Sequence, residues 1–163
     1  MNEAVGNAAL FNLAIVFVVI LIAFFVGSLS YSKAYKVKNK IVEEIEKQGE
    51  YAEDATKAYS LALPEINEWL DSGNAGKGIG YRKNTNPGLN NVNNCGSGNL
   101  VNQTSNYEYC VYIIDTCSGK TDTARCGVYY KVTTYMYFDI PIISDIIKIP
   151  VSSETMTFTK LNG

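Results

Sequence analysis

The sequence predicts an α+β chain: a long amino-terminal transmembrane and amphipathic helix, a second helix, and a small antiparallel β-sheet. Three observations carry this. No charged residue falls between Ala4 and Ser32, and Leu13 to Val26 is an unbroken apolar run. Apolar residues then recur at helical spacing from Tyr35 to Ile45. From Tyr107 onward, β-branched and aromatic residues alternate with polar ones. At 163 residues the chain has room for one compact domain with an appendage. Fourteen Lys and Arg against sixteen Asp and Glu argue against a broad nucleic-acid-binding face. The absence of histidine removes the usual general base and the commonest metal ligand.

Residues 1–32 read as a leader and a single membrane span. With Leu10, Phe11 and Leu29 added, about 20 residues are apolar, and at ~1.5 Å rise each they cross a hydrocarbon core of ~30 Å. A cleaved secretory signal fits poorly, because no basic segment precedes the run and the run is too long. Ala23 and Gly27 form a small-xxx-small step on one face, the pattern that lets membrane helices approach closely. They are the expected helix-packing residues. Orientation is contested. Lys33, Lys36, Lys38 and Lys40 follow the span and would hold the carboxyl-terminal part in the cytoplasm. Four cysteines in a Tyr- and Thr-rich segment favour an oxidising compartment. The expectation is a single-pass cell-membrane protein with its carboxyl-terminal domain outside.

Residues 33–72 are expected to form a helical stalk of two helices. Tyr35, Ile41, Val42 and Ile45 repeat at helical spacings, and Lys40–Glu44 and Glu43–Lys47 stand four apart as exposed ion pairs. No Gly or Pro interrupts the chain between Ser28 and Gln48, so one rod leaves the membrane and ends at Gly49 in a left-handed cap. Residues 51–71 give the second helix, with Ala55, Ala58, Tyr59, Ala62, Ile66, Trp69 and Leu70 as its apolar stripe. Pro64 should kink it or split it into 51–63 and 65–71, and Trp69 reads as a core anchor.

Residues 73–106 form an Asn/Gly-rich loop dominated by turn chemistry. The glycines of GKGIGYRK lack the order and the strand-to-helix setting of a phosphate loop. Asparagine carbonyls can ligate calcium, but acidic partners are scarce there.

Residues 107–163 form the sheet domain. YEYCVYIID is one strand and CGVYYKVTTYMYFDI another, with Tyr130, Val132, Thr134, Met136 and Phe138 on one face. Tyr129, Lys131, Thr133, Tyr135 and Tyr137 take the other face. Two short strands follow, around 146–151 and 154–161, with Met156 and Phe158 opposite Thr155, Thr157 and Thr159. The tyrosines fit either a sticky outer surface or amphipathic packing.

Cys117 and Cys126 flank the polar turn SGKTDTAR and would face each other across paired strands. Cys95 would then join Cys110 and tie the loop to the sheet, although the other two connectivities stay open. Zinc is the rival reading, weakened by the lack of C-x-x-C knuckles. Glu43, Glu44, Glu46, Glu53 and Asp54 read as solvated helical carboxylates, and neither they nor Asp115 suggest a pocket. No nucleophile elbow, metal helix or dinucleotide fingerprint occurs, so neither enzyme activity nor a cofactor is expected.

Three segments carry a resemblance. They are NEAVGNAALFNLAIVFVVILIAFF running into YSKAYKVKNKIVEEIEKQGEY, YCVY followed by YYKVTTYMYFDIPI, and the terminal IIKIPVSSETMTF. Together they resemble the TadE-like pseudopilins of Firmicutes tight-adherence pili, which are type IV pilus-like systems. The resemblance implies a pilin-like fold and a minor pilus component or assembly factor, acting through other pilins or pseudopilins, the inner-membrane platform, or a second copy of itself. Members of such families are often cut by a prepilin peptidase that leaves a Glu at the fifth mature position. Here a cut after Gly6 places Phe11 fifth, and the nearest acid, Glu3, lies on the other side of it. Glu3 either offsets an amino-terminal charge or is a solvated leader residue. The alternative function is a membrane-tethered adhesive module whose Asn/Gly loop and tyrosine face engage a carbohydrate or a host protein.

Overall fold

The computed structural model describes residues 2–72, 95, 98–102, 107–116, 126–137 and 148–159. Helix α1 runs without a break from Asn2 to Tyr51, about 75 Å at ~1.5 Å per residue. From Ala8 to Leu29 most of its side chains are exposed. From Ser30 onward one face is buried, with Ala34, Val37, Ile41 and Ile45 fully covered. The expected rod is present, but its end is not at Gly49. That glycine is helical and buried, two residues before the last turn closes.

The second helix starts later than the apolar stripe predicts. The Asp54 carboxylate accepts from the Thr56 amide at 3.0 Å and from the Thr56 hydroxyl at 2.7 Å, opening a 3-10 turn at Ala55–Lys57. This cap separates α1 from α2, Ala58–Asp71. Pro64 lies inside α2 on its exposed side and does not split it. Ala58, Tyr59, Ala62, Ile66 and Leu70 are buried as the spacing predicts, while Trp69 packs half-buried against the same cluster.

Among the described residues four antiparallel strands follow: β1 Tyr109–Asp115, β2 Gly127–Tyr137, β3 Lys148–Glu154 and β4 Phe158–Thr159. β2 is central, with β1 on one side and β3 then β4 along the other. Thr155 bridges the gap between β3 and β4. Its amide donates to the Tyr130 carbonyl at 2.9 Å, and its hydroxyl accepts from the Tyr130 amide at 3.0 Å. This overturns the expected 154–161 strand. Thr155 is buried, Met156 is exposed, and among the described residues only Phe158–Thr159 continue the ladder. The Met156 amide instead donates to the Glu46 carboxylate at 2.8 Å.

One face of the sheet covers α1 and α2. Tyr109, Val111, Val128, Tyr130 and Val132 join the buried residues of both helices in one core. Four tyrosine hydroxyls tie the layers. Tyr130 donates to the Ala55 carbonyl at 2.8 Å, Tyr107 to Asp71 at 2.5 Å, and the Tyr59 and Tyr109 hydroxyls lie 3.0 Å apart. A buried tyrosine is tolerated when its hydroxyl finds a partner, and these do. The Thr134 hydroxyl donates to the Ala34 carbonyl at 3.0 Å, pinning β2 to α1 beside the Met136–Val151 contact.

Candidate functional site

Two regions carry the chemistry that the sequence singles out. The first is the amino-terminal half of α1. It is long and apolar enough to cross a membrane, and its most apolar window is entirely unburied by the rest of the chain. Phe11, Phe17, Phe24 and Phe25 all project into surroundings that the domain does not supply. In water this would leave fourteen large apolar side chains between Leu10 and Leu29 uncovered, far beyond the patches that soluble monomers expose. Ala23 and Gly27 lie one turn apart within this half, each half-buried among its own helix neighbours. Glu3 belongs to α1, but its side chain lies outside the described residues.

Where the apolar run ends, the side chains change character over two turns. Tyr31 and Tyr35 stack with ring centroids 6.1 Å apart, and the Lys38 ammonium sits 4.3 Å from the Tyr35 centroid. Exposed Tyr31, Tyr35 and Lys36 at the end of an apolar helix, with Lys38 buried beside them, match the composition of a membrane–water boundary. Farther along, Lys40 bonds Glu44 at 2.6 Å and approaches Glu43 at 3.6 Å, while Lys47 lies 3.8 Å from Glu44. The hydrogen bond to Glu44 raises the Lys40 pKa above its ordinary value, against a smaller opposing effect of burial. Glu44 is buried and Glu46 caps Met156, so these two are structural carboxylates rather than the solvated ones expected.

The second region is the free side of β1. Cys95 and Cys110 form a disulfide with Cα atoms 5.8 Å apart, which removes both from any zinc site. Cys126 is also disulfide-bonded, and its expected partner Cys117 lies outside the described residues. Beside the first disulfide, residues 98–102 run along β1. The Val101 amide donates to the Val111 carbonyl at 2.9 Å, and the Ile113 amide to the Asn99 carbonyl at 3.0 Å. Asn102 is buried and acts as one more strand residue: its Oδ1 accepts from the Val111 amide at 2.7 Å, and its Nδ2 donates to the Tyr109 carbonyl at 2.5 Å. Gly98 has φ +159° and packs against the Tyr112 ring, where a Cβ would come within 3.0 Å of Cδ1 and 3.3 Å of Cε1.

Part of the predicted loop is therefore a strand-like strap. Nothing in the Asn-rich sequence distinguishes Asn102 from its neighbours, because its role depends on which backbone groups β1 leaves open. The remainder of the Asn/Gly segment lies outside the described residues, with GKGIGYRK wholly so.

Between the strap and the outer face of the sheet is an open groove of about 410 Å³, lined by Asn99, Tyr112, Ile114, Lys131, Thr133 and Ser152 among others. Thr133 and Ser152 hydroxyls are 2.8 Å apart there, and burial raises the pKa of the adjoining Tyr135 hydroxyl, 3.4 Å from the Cys110 sulfur. The tyrosines thus divide: Tyr107, Tyr109 and Tyr130 are core, whereas Tyr112, Tyr129 and Tyr135 sit half-buried on the outer face. Among the described residues no group of three or more His, Cys, Asp or Glu side chains is placed to hold a metal ion. No family model, no curated protein and no solved structure matches this chain.

Proposed function

We propose that this chain is a membrane-anchored, pilin-like assembly component, a minor pseudopilin of a tight-adherence or type IV-like filament. Its apolar helix exchanges lipid for other helices during assembly, while the sheet domain stays in water outside the cell. The observation that carries this reading is the continuity of α1, whose exposed apolar half runs without a joint into a half buried under the sheet. Such a helix can pack in a filament core or a membrane and still position its domain. Disulfide bonding at Cys95, Cys110 and Cys126 supports an oxidising location.

Two measurements test it. Impermeant thiol labelling of intact cells, with and without reductant, should reach the cysteines only after reduction and without lysis. Thiols that are free and reached only after lysis overturn the orientation. Deleting the chain should abolish filaments. Filaments that persist while surface adhesion is lost favour the alternative of a tethered binding module, for which the Tyr112–Lys131 groove is the motivating feature.

A further inference from the structure

The outer edge of β1 is answered from the Tyr109 amide to the Ile113 amide. The Tyr109 amide donates to Tyr107, its carbonyl accepts from Asn102, Val111 is held by Asn102 and Val101, and the Ile113 amide reaches Asn99. A bare edge of this kind is a template for pairing with another chain, and covering it is a common protection. Here the cover is a short strap, anchored by one disulfide at Cys95. Its remaining hold is a few hydrogen bonds and the packing of Val101 against the core, contacts that residues 98–102 of a second copy can make identically.

We infer that the strap is exchangeable between copies of the chain, and that the Cys95–Cys110 bond decides whether it is. With the bond closed, the strap is held on its own β1. Opening it is a two-electron reduction: a dithiol reductant delivers two electrons and two protons, the Sγ–Sγ bond breaks, two thiols form, and the reductant leaves as its own disulfide. The strap of one copy then adds to β1 of another, an exchange of identical elements that needs no new contact. Reoxidation by a disulfide oxidant such as oxidised glutathione, which takes up the two electrons and two protons and leaves as two thiols, fixes the swap as a Cys95–Cys110 bond between chains. The inference goes beyond the filament reading and is independent of it.

The test uses full-length chains in detergent micelles. One population carries Cys110→Ser and keeps Cys95; the other carries Cys95→Ser and keeps Cys110, with a different tag. Mixed and oxidised with oxidised glutathione, they should yield a Cys95-to-Cys110 linked heterodimer, identified by peptide mass, several-fold above either same-variant dimer. Hydrogen exchange supplies the second readout. In the mixture, before oxidation, protection of the Val111 and Ile113 amides should rise with protein concentration, whereas in the oxidised wild-type chain it should not. No heterodimer excess, or protection independent of concentration, overturns the proposal. Loss of protection across β2 as well overturns it too, since the disulfide would then hold the whole sheet rather than one edge.

Discussion

The ring of Phe158 lies directly over Gly49, so that a methyl group on Gly49 would overlap the ring atoms Cε1 and Cζ. This brings the shortest strand, β4, against the last turns of α1. A glycine there is required by proximity, not by a left-handed backbone. Gly49→Ala gains up to about 1 kcal/mol in helix propensity but forces about 1–3 kcal/mol of overpacking. We expect a net loss, read as a lower urea midpoint in detergent, with Phe158→Leu in the same chain restoring part of it. An alanine variant more stable than wild type would contradict this packing.

Asn102 makes two hydrogen bonds to the β1 backbone from a buried side chain. Asn102→Ala leaves the Tyr109 carbonyl and Val111 amide unanswered and should cost about 2–3 kcal/mol, since each buried unpaired group costs ~1–3 kcal/mol. Amide exchange at Val111 should quicken while β2 amides stay protected. Asn102→Asp should rescue little, because it lacks the donor toward Tyr109.

Burial raises the Tyr130 and Tyr135 hydroxyl pKa values above the ordinary 10.0, and the Glu44 hydrogen bond raises Lys40 above 10.5. All three have the same sign. A group that holds its proton more tightly when folded contributes stability fully below its unfolded pKa, and loses it as pH rises through the folded value. Stability should therefore hold steady up to about pH 9.5 and fall above pH 10. Tyr135→Phe should flatten part of that fall in urea titrations at stepped pH. An unchanged alkaline slope would remove Tyr135 from the explanation.

Ala23 and Gly27 lie in the half of α1 that no other element covers. Leucine at both should reduce helix–helix crosslinking in membranes several-fold, because close approach depends on small side chains. The urea midpoint of the sheet domain should not change, since neither residue touches its core. Unchanged crosslinking would remove this face from the contact.

The element order and the apolar faces were legible because period and charge carry them. The exposed run of α1, the stripe of α2 and the inner residues of β2 all follow from spacing alone. The misses come from tertiary placement that local pattern does not carry. Gly49 meets Phe158 and Thr155 meets Tyr130 across the chain, while Glu44 and Asn102 have near partners but are buried by the way the layers pack. Thus Gly49 resembled a helix stop, Thr155 the wet side of a strand, Glu44 a solvated acid and Asn102 one more turn residue. Asp54 is a partial exception: the Asp-x-Thr arrangement is a cap signal, outweighed in the sequence by the continuous apolar stripe around it.

Because α1 has no joint between its exposed and buried halves, the proposed anchor and the domain would move as a single lever. The arm from Ser30 to Tyr51 measures about 30 Å. A tilt of ~20°, ordinary for a membrane helix, would swing its far tip sideways by roughly 10 Å. Any change in bilayer thickness that leans the span would thereby reposition the tyrosine-bearing surface relative to its neighbours.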